Sequence, residues 1–567
     1  MNHLPNFSSS VFGPKEITVD FIQSHPDISY LTFQLLDTED LKNICLVSKS
    51  CNALATPLLY RSIVLEFEKA QEANALELTD PRDWKCRFSV LLPYLLDDRN
   101  TRAQDWVRDI TLSLAPCPRN SIQPTAKIQK IEDGLVALLE KLPNVQNIYL
   151  DEDIHFTQRF LDAIASHAGR PYLHLLGENG KTQLTNPMPM VRTFNVHVSI
   201  RTFGRTKAGE VDLNKIFAAC PNLRNLSVST DRFIRGCGMG GRTSGAIIRP
   251  YEYTPGKRAP PLESLSIEGY HMNSLEASHW RDGFKWDILK SLTLGPEDNK
   301  GIFDAFPSSL LSLTILEILA WPTKRPGEDR TYKDEALDAF LLSFNTLETL
   351  IVKGYSPSIG AVANHHSLKH LCLHEIEQVY TPREFTETSE LQELDALCPD
   401  LEYLELDISQ KDGSWPRDFI IAFTKSFMNL RSLHFHVAFG FDRLVDGEGG
   451  CIDETEEQMN KILTNSKVKA FLEILSNRDS SSKLRKLTFR TGEKLRRFRQ
   501  WWPQYANIEK RLARTFEVLF PFDQDALPVV KETNITRYTH ACGTTTDGIT
   551  LACDPADCPL SQDRVWD

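Results

Sequence analysis

Three stretches of the chain place histidine, thiol and carboxylate groups at alternate positions: "LKHLCLH" from 368, "LEYLELD" from 401 and "LRSLHFH" from 430. Read as β-strands, each puts alternate residues on one face. Those residues are His370, Cys372 and His374; Tyr403, Glu405 and Asp407; and Ser432, His434 and His436. Neighbouring strands lie about 4.8 Å apart and i, i+2 residues about 6.6 to 7 Å apart, so these groups would share one small patch. Three roles suit such a set. It could ligate a metal, although strands hold their side chains at fixed spacing instead of converging them. It could be solvated polarity with no role. It could recognise a protein, in which case histidines titrating near pH 6.5 would alter the attraction to a charged target. No metal or cofactor is expected.

The elements that would position this patch are copies of a six-residue pattern, L-x-x-L-x-L, with Ile, Val or Phe substituting. Copies start at 107, 145, 191, 223, 262, 289, 347, 368, 401, 430 and 484, and a further one at 313 or 316. Their spacing is irregular, from 21 residues between the copies at 347 and 368 to 54 between those at 430 and 484. Three copies follow "LPN", "CPN" or "CPD", a helix-ending turn ahead of the next strand. About a dozen copies carry the leucine-rich-repeat signature of one strand plus a helix or helical turn per repeat. The fold expected is α/β: a curved parallel sheet with helices on its outer face, spanning about residues 80–520. The third, fifth and seventh positions would face the concave side. A doubly wound α/β domain is the competing architecture, and the short strands and recurrent turn disfavour it.

Composition narrows the function. The chain has 567 residues, 41% of them hydrophobic, enough for a large core or several domains. Its formal charge of −12 is the wrong sign for a general nucleic-acid binder and gives no attraction to anionic membranes. The first residues lack a charged region followed by an apolar one, and no stretch is apolar over a membrane-spanning length. Twelve scattered cysteines, several inside apolar periodic segments, suit a reducing compartment, so cytoplasm or nucleus is expected.

Ahead of the repeats, Ile28, Leu31 and Leu35 follow Pro26 at helical spacing. Leu41, Ile44, Cys45 and Ser48 then recur at i, i+3, i+4, i+7 behind Thr38, Glu39 and Asp40, read as a cap and first-turn acids. A third helical run, "SKSCNALA", is expected to stop at Pro57 and pass into the extended "LLYRSIVLEF". About three short helices in some thirty residues cannot bury a core alone, so something must cover their apolar face.

These residues, above all "LVSK" followed by "LATPLLYR", resemble the F-box of fungal F-box proteins. The departure lies at the start, where "HPDISYLTF" stands in place of Leu-Pro, an acidic residue and a long aliphatic run. The resemblance implies an F-box over 17–65, behind a flexible segment 1–16. It implies docking on a Skp-type adaptor through Pro26, Ile28, Leu31, Leu35, Leu41, Leu46 and Val47. The adaptor would link the chain indirectly to a cullin, and the solenoid would present an unknown protein target for ubiquitination. A non-ligase scaffold bound to the adaptor alone is the alternative.

No enzyme motif is present. "RGCGMGGRTSG" (235–245) lacks the Gly-Lys-Ser/Thr ending of a phosphate loop and reads as an insertion, as does the stretch 436–458. Eleven Lys and Arg between Lys483 and Arg514, against Glu493 and Glu509, are interleaved with Trp501 and Trp502. They read as a terminal capping helix, with nucleic-acid binding or nuclear import as the alternative. The tail, 521–567, is expected to be partly disordered. Its His540, Cys542, Cys553 and Cys558 fit no standard zinc spacing.

Overall fold

The computed structural model describes residues 25–67, 87–114, 125–150, 158–178, 187–198, 211–230, 248–257, 259–269, 272–295, 300–306, 310–320, 331–375, 385–410, 413–438, 463–476, 482–492, 513–521, 527–533, 540–544 and 550–553. The chain divides into two compact units: Met1–Val198 with Lys215–Leu223, and Ser199–Asn214 with Arg224–Asp567. The segment 1–16, the glycine-rich stretch 235–245 and most of the second expected insertion lie outside the described residues.

The first unit opens with three helices, α1 (Pro26–Phe33), α2 (Thr38–Cys45) and α3 (Lys49–Arg61). Asp37, one residue ahead of the expected Thr38, caps α2 by accepting from the backbone N–H groups of Glu39 and Asp40. Ser48 caps α3 through the N–H of Cys51. Phe33, Leu41, Cys51, Ala55 and Leu58 close a small core between them. Contrary to the expectation, α3 runs through Pro57. The carbonyl that Pro57 cannot bond is that of Ala53, an exposed residue, so water can satisfy it. Tyr60, in the last turn of α3, stacks on Tyr94 of α4 (Arg87–Leu96) with ring centroids 5.9 Å apart.

The sheet of this unit starts before residue 80. β1 (Ser62–Phe67), within the stretch expected to be extended and overlapping the end of the segment 17–65, pairs in parallel with β2 (Asp109–Leu114). Then follow β3 (Asn147–Leu150), β4 (Tyr172–Glu178) and β5 (Val191–Val198), each parallel to the last. Helices α5 (Thr125–Lys141) and α6 (Gln158–Ser166) occupy the connections. The register joins the fourth position of each copy, Ile63 to Ile110 to Ile148 to Leu173.

In the second unit β6 (Asn225–Thr230), β7 (Ser264–Glu268), β8 (Ser291–Leu294), β9 (Ile315–Leu319), β10 (Thr349–Lys353), β11 (His370–His374), β12 (Tyr403–Ile408), β13 (Ser432–Val437) and β14 (Lys486–Arg490) form a parallel run. Leu292 aligns with Leu316 and Leu316 with Leu350, so the copy left open by the sequence starts at 313. Two connections matter below, α7 (Thr388–Leu397) and α8 (Arg417–Lys425), together with α9 (Asn465–Leu475). Phe435 of β13 packs at 5.6 Å from Phe423 of α8 and 5.6 Å from Phe471 of α9, which fixes the helix-covered face of the sheet.

One backbone device repeats through this unit. The carbonyl at the second position of a copy accepts from the second and third N–H groups of the next: Glu348 from Lys369 and His370, Lys369 from Glu402 and Tyr403, Glu402 from Arg431 and Ser432. The first-position leucine donates its N–H to the carbonyl three residues back, as Leu223, Leu313, Leu368, Leu401 and Leu430 all do. Asparagine side chains tie successive turns: Asn429 donates to the Pro399 carbonyl at 3.0 Å and Asn364 to that of Phe344 at 2.8 Å. The Leu, Ile and Val side chains at the first, fourth and sixth positions are almost all buried, each worth about 1.5–3 kcal/mol. The chain is thus a mixed α/β protein whose parallel strands and helices are compatible with a leucine-rich-repeat solenoid.

At the C-terminal end two antiparallel strands, β15 (Thr515–Leu519) and β16 (Val529–Thr533), extend the sheet. Of the basic segment, Lys486–Arg490 is strand β14, and residues 493–512, with Trp501 and Trp502 and most of the expected capping helix, lie outside the described residues. The tail contributes β16 and a further antiparallel pair, His540–Thr544 with Thr550–Cys553. Among the described residues no helix is long and apolar enough to cross a membrane.

Candidate functional site

In the helical unit, α1 turns Ser29 and Phe33 inward, helical spacing puts Ile28 and Leu31 away from them, and Leu35 follows in the turn after the helix. Leu46 and Val47 follow in the turn between α2 and α3. These five large apolar side chains are between 51% and 86% exposed, although the core beneath them is complete. Pro26 is exposed at the first position of α1. Leu41 departs from the expectation: it is buried in the core, because it shares the α2 face that packs on Cys51, Ala55 and Leu58. The turn carrying Leu46 and Val47 is braced by Asn52, whose side chain donates to the Cys45 carbonyl at 3.2 Å.

In the second unit the expected patch exists as a neighbourhood, but it is not an exposed one. Cross-strand register sets His370 beside Tyr403, and Glu405 beside His434. The rings of His370 and Tyr403 stack with centroids 3.9 Å apart, and those of His374 and His436 at 3.7 Å. Cys372, His374, Asp407 and His436 are buried, and His370, Tyr403, Glu405 and His434 are half-buried. Alternation predicted the face correctly, but the neighbours on adjacent strands shield what a single strand would leave open.

The hydrogen bonds run in a determined direction, because an ionised carboxylate only accepts. His374 donates from Nδ1 to Asp407 at 2.8 Å, and the backbone N–H of Glu375 donates to the other Asp407 oxygen. Tyr403 donates its hydroxyl to Glu405 at 2.8 Å, and His436 donates from Nε2 to the second Glu405 oxygen. His434 then donates from Nδ1 to the Tyr403 oxygen at 3.2 Å and accepts from Thr488 at 3.5 Å. Burial alone would raise the Glu405 carboxyl. The His436 hydrogen bond, Lys353 and Tyr403 overcome it and hold the group well below the usual carboxylate range. Burial pushes His434 down to about 4 and lowers His370 and His436. Burial, then the nearby Glu405, raises the Cys372 thiol well above its ordinary value. The histidines at 370, 434 and 436 are neutral at pH 7, so the expected titration near pH 6.5 does not apply to them. Among the described residues no cluster of His, Cys, Asp or Glu is arranged to hold a metal ion.

The sequence reading missed a related array in the first unit. Asn147 donates to Asp109 at 2.7 Å, His174 bridges Thr193 at 2.8 Å and Asn147 at 3.3 Å, and Tyr149 stacks on His174 at 4.4 Å. Asp109, Asn147 and Thr193 are the third positions of the copies at 107, 145 and 191, which was the available signal. His174 belongs to β4, whose first position is Arg170 where the pattern wants an apolar residue.

Comparison with known proteins adds little. No family model matches the chain, and no curated protein matches it. Among solved structures 23 chains match. One, "Crystal structure of TLR13-ssRNA13 complex", is 14% identical with a TM-score of 0.32, over 60% of this chain and 42% of that one. The chain spans less than half the length of that protein, and no functional argument rests on the likeness.

Proposed function

We propose that this chain is a non-enzymatic adaptor of the cytoplasm or nucleus, in which the helical unit docks a Skp-type adaptor and the repeats bind a protein target. The observation that carries the reading is the exposed set Ile28, Leu31, Leu35, Leu46 and Val47 over a core that closes without it. An isolated fold gains nothing from presenting five such side chains together; a partner that covers them gains about 1.5–3 kcal/mol for each one fully buried. The sequence resemblance to an F-box supplies the partner's identity, and a cullin would then join through the adaptor to ubiquitinate the target. The face carrying Tyr403, His370 and Lys353 is the part of the repeats offered to that target.

Co-purification of the full chain tests this. Leu31→Asp with Val47→Asp should abolish capture of the Skp-type adaptor while leaving the helix content of the chain unchanged. Undiminished capture sinks the assignment. Recovery of adaptor together with cullin supports ligase assembly, and recovery of adaptor alone supports the scaffold alternative.

A further inference from the structure

We infer that the stacked imidazoles of His374 and His436, clamped between Asp407 and Glu405, form an acid-sensitive latch that holds β11, β12 and β13 together. This stands apart from the adaptor reading. Each ring donates one N–H to a carboxylate on β12, so both outer strands are tied to the middle one through a single ring pair. The rings lie 3.7 Å apart and 18° from parallel. Two neutral imidazoles stack at this distance, whereas two imidazolium rings repel across a buried, poorly screened gap.

Among the described residues, charged and titratable groups lie on every neighbouring strand. β10 contributes Lys353, β11 His370, Cys372 and the following Glu375, β12 Tyr403, β13 His434, β14 Lys486 and Arg490, and β15 Glu517. Arg490 is the cross-strand partner of His436. Lys486 is paired with Glu517 at 2.8 Å. Glu405 and Asp407 favour a proton on His436, and burial and the stacked His374 outweigh them.

His436 is lowered in the closed sheet by burial and then by His374, while an opened strand returns it to its ordinary value near 6.5. Below that pH the opened form binds more protons than the closed one. Closure is therefore complete above about pH 6.5 and weakens as the pH falls towards the lowered value. Glu405, held low, stays ionised through this window and contributes no change there.

Hydrogen exchange of the full chain at pH 7.5, 6.5, 5.5 and 5.0, corrected for the intrinsic pH dependence of exchange, reads the latch directly. Opening of 370–375, 403–408 and 432–437 should rise about 10-fold per pH unit below 6.5 for each proton taken up, while 264–268 and 291–294 stay level. In His436→Gln the carboxamide still donates to Glu405 but cannot be protonated, and the slope should fall by about that 10-fold. An equal slope in the variant overturns the latch. Should the variant fail to fold, imidazole ¹⁵N shifts of the wild-type chain decide: a neutral His436 down to the onset of opening supports the proposal, and full protonation near pH 6.5 without opening refutes it.

Discussion

The helical unit and the strands β11–β14 invert the usual placement of side chains in opposite ways. Ile28, Leu31, Leu35, Leu46 and Val47 stand in water with a finished core beneath them. His374, Asp407 and His436 are buried although they are polar. Exposed apolar side chains cost a folded chain little by themselves, so such a face is free to be shaped by a partner. Buried carboxylates tolerate no such freedom, since each must keep every hydrogen bond it has. The first region is therefore built to be covered, and the second to be rigid.

The largest effect that tests this contrast separates Leu41 from its exposed neighbours. Leu41→Ala empties a core position, and the helical unit should lose about 2–5 kcal/mol, seen as loss of exchange protection across α1–α3. Leu35→Ala, on the exposed face, should change stability by less than about 0.5 kcal/mol. Equal losses would mean that the exposed set contributes to the fold, and the docking argument would fall with it.

Next in size is Glu405→Gln. Tyr403 and His436 both donate to this group, and a carboxamide offers one acceptor oxygen where two donors converge. One buried donor is left without a partner, at about 1–3 kcal/mol, measurable as a lower denaturation midpoint. The substitution keeps the shape of the side chain, so a neutral result would show that the network is not what orders this face.

The repeat pattern made the strands and their register legible, because the first, fourth and sixth leucines are set by period alone, as Leu368, Leu371, Leu401 and Leu404 illustrate. It also brought the nine residues of the patch onto one face. Their burial was not legible, since shielding of Cys372 comes from β10 and β12, and no single strand records its neighbours' bulk. Pro57 misled for a similar reason: whether a proline ends a helix depends on whether the freed carbonyl reaches water, which the sequence does not state. Leu41 and Leu46 look alike in an apolar list, and only the packing of α2 on α3 assigns one to the core and the other to the surface. β4 escaped notice because Arg170 stands where the repeat wants an apolar side chain.

The smallest expected effect lies on other copies of the same unit, at their second positions. Second-position side chains meet across copies as charge pairs: Lys290 reaches Glu263 at 2.8 Å, and Arg224 approaches the same carboxylate at 3.2 Å. Glu263 thus sits between two cations, as Glu405 sits between two donors, yet its surroundings are wet. Water already solvates all three groups, so joining them removes little, and holding long side chains in place offsets part of the attraction. Glu263→Gln should therefore cost less than about 1 kcal/mol, and the cost should vanish in 1 M salt, where the screening length falls to about 3 Å. Glu405→Gln should keep its cost in the same salt, because ions do not enter the buried network. A salt-insensitive loss at Glu263 comparable to that at Glu405 would show that burial is not what distinguishes the two carboxylates.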